Sequence, residues 1–187
     1  LLEDLVREAT SRALEIVQNK NPELSFENQQ NIAQAVALGA LKYSMLSRDN
    51  TKVVTFDWEA ALDFNGQAAP YIQYAYVRCG SILRRYGKTV PLEVDWSVDL
   101  EPAEIALVEL VSRLPDEVQR AAREYRPMLV ANLSFEMAQA FSDFYNQCPV
   151  LKAEEPIRSR RLRMVAVSRQ VLRNCLYLLG INAPEAM

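Results

Sequence analysis

Histidine is absent from the chain. That removes the usual general base, the usual zinc ligand and every triad built on imidazole. Cysteine is scarce: Cys79, Cys148 and Cys175 lie far apart with no C-x-x-C pair, so neither a disulfide framework nor a thiolate zinc site is indicated. The three read as buried small hydrophobes. Glycine, at five residues, builds no phosphate-cradling loop. No run of eighteen apolar residues and no basic-then-apolar leader occurs, which leaves no membrane-spanning or secretion signal. A folded cytoplasmic protein with no catalytic and no metal-ligating residues of its own is expected. What is present, 187 residues of which 50% are hydrophobic and 24% charged, suffices for one sizeable domain or for one domain plus a fragment of another.

A net charge of −3 conceals an uneven distribution. Phe64 to Leu92 carries Arg78, Arg84, Arg85 and Lys88 with no acid, and Ile157 to Asn174 carries Arg158, Arg160, Arg161, Arg163, Arg169 and Arg173, again with none. Glu93 to Glu117 holds eight acids against Arg113 alone. If the fold joins the two basic stretches, an acidic protein acquires a positive face. The acidic stretch has no ligand spacing on one face and reads as a solvated surface.

The apolar residues Leu1, Leu2, Leu5, Val6, Ala9, Ala13, Ile16 and Val17 recur at helical spacing until Asn21-Pro22. The run begins without methionine and already inside the pattern, as expected of a piece of a longer chain. Ser25 is placed to cap a second helix over Phe26 to Leu46, with Ala35, Gly39 and Ala40 suited to close packing. From Ser47 to Gly66 the periodicity breaks: Arg48-Asp49-Asn50 reads as a turn and Thr51 to Phe56 as a short extended piece. This is the expected domain boundary. Beyond it come helical stretches at Pro70 to Tyr86, Pro102 to about Tyr125 with a break at Pro115, Pro127 to Gln147, and about Ile157 to Leu179. Prolines stand at or near the first helical position of three of them, and Gly180 is placed for a left-handed stop. The class is all-α: a helical bundle with a long Gly87 to Glu101 loop, preceded by a helical pair.

At about 100° per residue, the Pro70 helix turns Ile72, Ala75, Cys79 and Ile82 inward and leaves Tyr74, Arg78 and Arg85 together outside. An aromatic ring beside two guanidiniums stacks a base and holds its phosphate, though a solvated face with salt bridges has the same pattern. On the last helix Arg169, Arg173 and Tyr177 share a stripe open to the same two readings. On the Pro127 helix Val130, Leu133, Met137, Phe141 and Phe144 form a core stripe. Tyr145 sits at its edge, either as a packing residue with a wet hydroxyl or as a platform for an unstacked base.

Residues 70 to 85, Pro-Tyr-Ile-Gln-Tyr-Ala-Tyr-Val-Arg-Cys-Gly-Ser-Ile-Leu-Arg-Arg, resemble the opening of the DALR-type anticodon-binding domain of arginyl-tRNA synthetases. Gly39 to Tyr43, Val54 to Trp58, Leu2 to Leu5, Leu133 to Tyr145, Arg161 to Leu179 and the terminal Ala183 to Met187 are similar to stretches of the same family. The resemblance implies that residues 1–66 are the tail of a class I catalytic region and 67–187 the anticodon-binding bundle. It places the nucleotide motifs, ATP, Mg and the arginine pocket in a catalytic domain outside this stretch, which alone should be inactive and need no cofactor. The implied partner is arginine tRNA, with no DNA and no membrane, in a monomeric parent enzyme. By matching motifs, Tyr145 and Met187 fall at the pocket for anticodon bases, and Arg161, Arg169 and Asn174 occupy family-like positions, Arg161 with a structural role as an equal alternative. Two departures stand out: Gln67-Ala68 where the family commonly has Asn-Thr, and Asn132 where a tyrosine often precedes Leu133. A stand-alone helical adaptor and the corresponding bundle of another class I synthetase, such as the cysteinyl enzyme, remain as alternatives.

Overall fold

The computed structural model describes residues 2–49, 51–52 and 55–187, all helix and loop with no strand among them. Helix α1 (Leu2–Lys20) pairs with α2 (Phe26–Leu46) around a core of Ala9, Ala13, Val17, Ile32, Ala33, Val36 and Ala37. Small side chains on both faces let the two axes approach closely. Ser25 caps α2 as its position predicts, its hydroxyl accepting from the Asn28 N–H at 3.4 Å.

The turn after α2 is set by Asp49, whose carboxylate accepts from the Thr51 N–H and hydroxyl at 3.0 and 2.7 Å. Those bonds hold Asp49 below the usual carboxylate range, with Arg126, 3.0 Å away, adding to the effect. The short extended piece is not borne out. Thr51 and Lys52 form a turn and bend, Thr55 to Asp57 have no regular structure, and Asn50, Val53 and Val54 lie outside the described residues. A short helix that periodicity does not reveal, α3 (Trp58–Ala61), follows instead. Asp57 nucleates it by accepting from the Glu59 and Ala60 N–H groups.

The bundle comprises α4 (Ala69–Tyr86), α5 (Pro102–Glu124), α6 (Met128–Gln147) and α7 (Ile157–Leu178), with 87–101 as the expected loop. The expected break at Pro115 does not occur; α5 runs through it. Pro115 is exposed, so its ring faces away from the core, and packing along α6 holds the axis through the hydrogen bond that its missing N–H removes. Gly87 and Gly180 end α4 and α7 at φ of 69° and 66°, the left-handed stop foreseen for Gly180. Ile72, Cys79, Leu133, Met137, Phe141, Phe144, Leu172 and Leu176 fill the centre, each no more than 1% exposed.

All three cysteines are buried and free. Burial pushes the Cys175 thiol up to about 12 and raises Cys79 and Cys148 as well.

Helix α2 also joins the bundle. The Tyr43 hydroxyl donates to the Ala131 carbonyl of α6 at 3.2 Å, and burial raises that phenol to about 12. The fully buried Gln73 of α4 donates to Ala35 O at 3.2 Å and to Asn182 O at 2.8 Å, stitching α2, α4 and the C-terminal tail together. Gly39 faces this seam, where an added Cβ would meet Gln73 Nε2 at 3.0 Å and Ile181 Cγ2 at 3.1 Å. Lys42 donates to Gly180 O beside it. The two departures from the resembled pattern meet as partners: Gln67 Nε2 donates to Asn132 Oδ1 at 3.3 Å. Among the described residues no helix is long and apolar enough to cross a membrane.

Candidate nucleic-acid interface

The outer face of α4 meets the end of α6 and the C-terminal tail at a cavity of about 630 Å³. Five of the residues singled out by sequence line it: Tyr74, Arg78 and Arg85 from α4, Tyr145 from α6, and Met187. The Arg78 guanidinium lies 4.6 Å from the Tyr74 ring centroid and 5.0 Å from that of Tyr145, so one cation is held between two π faces. Tyr74 accepts a hydrogen bond from Arg78. Tyr145 is 39% exposed, leans on the buried Phe141 ring at a 27° interplanar angle and carries the Arg78 guanidinium against its own ring, so the tyrosine is held in place from both neighbours while part of it stays open to the cavity. Asn146 and Lys152, which sequence reasoning passed over, also line it, one able to bond a base edge and the other a phosphate. A second cleft of about 560 Å³ adjoins it, sharing Tyr74, Arg78, Asn146 and Met187, with Lys20, Phe64 and Tyr71 on its far wall.

The α7 residues Arg169, Arg173 and Asn174 do not line that cavity. Arg169 reaches across to α4, its guanidinium 4.6 Å from the Tyr76 ring and 2.9 Å from the Tyr76 hydroxyl, to which it donates. It also bonds Glu185 in the tail at 2.6 Å. Arg173 is exposed, and Asn174 accepts from Gln170 at 2.8 Å.

The two basic stretches do pack together as α4 on α7, yet much of the α7 charge is neutralised internally. Arg158 pairs with Glu155 at 2.8 Å. Arg160 and Arg161, 1% and 8% exposed, converge on the buried Glu104 at 3.1 and 2.9 Å. Arg160 further donates to the Val98 and Asp99 carbonyls, and Arg161 to Pro149 O. Of its two readings, Arg161 therefore takes the structural one. Glu104 corrects the expectation of a solvated acidic stretch: it stands in the first turn of α5 and accepts from the Glu101 N–H at 2.8 Å. Burial alone would raise its carboxyl, but that N–H and the two guanidiniums hold it below its ordinary value. The signal lay in its place two residues after Pro102, at the third helical position, where a carboxylate closes a capping box.

Residues 72–187 match the DALR anticodon binding domain. The chain belongs to that family. Residues 1–58 match the catalytic domain of class I (R) tRNA synthetases. Among relatives, the arginine–tRNA ligase of Thermococcus kodakarensis is 43% identical over 194 residues, covering all of this chain and 30% of its own length. That of Chloroflexus aurantiacus is 42% identical, covering all of this chain and 33% of its own. The arginyl-tRNA synthetase structure from Thermus thermophilus superimposes with a TM-score of 0.92 at 36% identity, covering 99% of this chain and 32% of that one. The chain thus spans about a third of the length of the relatives it matches. As a DALR anticodon-binding bundle it presents Tyr74, Arg78, Tyr145 and Met187 in one cavity, with Arg160 and Arg161 of α7 serving the fold.

Proposed function

We propose that this chain is the tRNA-reading part of a cytoplasmic arginine–tRNA ligase, the enzyme that attaches L-arginine to its tRNA using ATP. The observation that carries the reading is the cavity in which Tyr74, Arg78, Arg85, Tyr145 and Met187 converge, on a bundle whose relatives are arginine–tRNA ligases. An anticodon base leaving the loop stacks against the Arg78 guanidinium and the exposed part of the Tyr145 ring, while Asn146 bonds its edge. Arg85 and Lys152 hold the flanking phosphates, which set register without reading sequence. The names of the relatives favour arginine tRNA over the cysteine tRNA of the rival bundle.

The sequence carries no glycine-rich phosphate loop, and the described residues hold no cluster of three or more groups fit for a metal. In this reading ATP and magnesium belong to a catalytic domain beyond this stretch.

The test is equilibrium binding to arginine tRNA and to the same transcript with its central anticodon base changed, across a salt series. A preference for the unaltered anticodon on a steep salt slope is expected, with Tyr145→Ala weakening the cognate complex by about 1–3 kcal/mol, the worth of a base stack. Equal affinity for both transcripts, or an unaffected but folded Tyr145→Ala variant, would overturn the assignment of base reading to this cavity.

A further inference from the structure

The tail after α7 has no helical hydrogen bonds of its own from Asn182 onward, yet it delivers Met187 to the cavity wall. Its anchor is Glu185. The Glu185 carboxylate accepts from the Tyr76 hydroxyl at 2.8 Å and from Arg169 at 2.6 Å, lies 3.9 Å from Arg84, and its backbone carbonyl accepts from Arg84 at 3.4 Å. Two hydrogen-bond donors, Tyr76 of α4 and Arg169 of α7, and the further cation Arg84 thus meet at one residue, two before Met187. Tyr76 is buried to its rim, and burial together with the bond to Glu185 raises its phenol, which keeps it a donor. Glu185 itself is 68% exposed at the side chain.

We infer that Glu185 is a positioning residue for the anticodon cavity, latching the tail so that Met187 forms part of the wall against which a base is read. This inference rests on the proposed anticodon reading. Because the latch is ionic and exposed, salt weakens it. Counterion release alone lowers affinity for every tRNA alike, since phosphate contacts carry no sequence information. A latch that salt loosens adds something different: the ratio of cognate to altered-anticodon affinity falls as salt rises.

The experiment compares the full chain with its Glu185→Ala, Glu185→Asp and Met187→Ala variants, each shown by circular dichroism to be folded. Affinities for arginine-tRNA anticodon stem-loops with the natural and the changed central base are measured across a salt series, and the methionine methyl resonances are followed by NMR. Glu185→Ala is expected to lower the discrimination ratio about tenfold at low salt, the low end of a base stack's worth. It should also make the ratio insensitive to salt and move the Met187 methyl toward its random-coil position while the buried Met137 and Met164 methyls stay put. Glu185→Asp should restore part of the ratio, and Glu185→Ala combined with Met187→Ala should be no worse than Met187→Ala alone. An unmoved Met187 resonance in Glu185→Ala would overturn the latch whatever the RNA binding shows, as would an unchanged ratio beside a damaging Met187→Ala. If Met187→Ala and Tyr145→Ala both leave binding untouched while the Met187 resonance moves, the latch holds the tail but the anticodon reading fails, and the role assigned to Glu185 fails with it.

Discussion

Arg78 and Arg160 are the same residue type on neighbouring helices of one bundle, each inside a run of cations without an acid, and they meet opposite fates. Arg78 sits at a cavity mouth between two tyrosine rings, with its charge offered to solvent. Arg160 is 1% exposed and spends its donors on Glu104 and the 98–99 carbonyls. The difference lies in where an acid arrives from elsewhere in the chain: α5 brings Glu104 to the start of α7, the tail brings Glu185 to Arg84 of α4, and among the described residues no acid pairs with Arg78. A run of arginine in sequence therefore states how much charge is available, and tertiary structure decides whether it is spent on folding or left for a polyanion.

Breaking the buried side of this comparison should have the largest effect. Glu104→Ala leaves two guanidiniums buried without their acid, and a loss of about 3–5 kcal/mol in urea unfolding is expected; a loss below about 1 kcal/mol would mean that the pair is as dispensable as a surface bridge. Acid should act on the same centre. Glu104 is held below its ordinary 4.5, so its contribution is complete above that pH and is lost as pH falls through the lower folded value. Stability of the wild type should drop steeply in that window, and a Glu104→Gln variant should show a shallower drop over the same range.

On the exposed side, Arg78→Ala combined with Arg85→Ala should leave stability within about 0.5 kcal/mol while weakening every stem-loop. The salt slope should become shallower by about 0.7 for each phosphate contact removed. An unchanged slope would place the RNA elsewhere. Smallest is the Gln67–Asn132 contact, a 3.3 Å bond between side chains near the surface. A double-mutant cycle to alanine should return a coupling of about 0.5 kcal/mol in unfolding, at the low end for a neutral hydrogen bond.

Helix positions were legible in the sequence wherever a local device marks an end: Ser25, Pro102 and Gly180 are visible one residue at a time because capping and left-handed turns are local chemistry. Pro115 misled because its cost depends on the support that α6 lends to α5, which is not local. Helix α3 is too short to show a period and declares itself through the Asp57 cap alone. In the site, periodicity sufficed to group Tyr74, Arg78 and Arg85 on one face of α4. Bringing Tyr145 and Met187 to that face needed the family resemblance, because α6 and the tail reach it from 60 and more positions away. Glu104 and Glu185 were hidden for a further reason: each is one acid whose arginine partners are fixed only when separate segments converge, so the place of Glu104 after Pro102 foretells its capping bond but not its burial, and nothing beside Glu185 foretells its partners.

The three thiols supply a built-in chronometer for how this bundle opens. Cys79 lies mid-α4, Cys148 at the end of α6 and Cys175 in α7, all at 1% exposure or less. With their thiols buried and raised, each is expected to react with a disulfide reagent only when the structure around it opens. Identifying which cysteine is tagged first under native conditions, and whether bound RNA slows that one selectively, orders the helices by their local stability without a single introduced label.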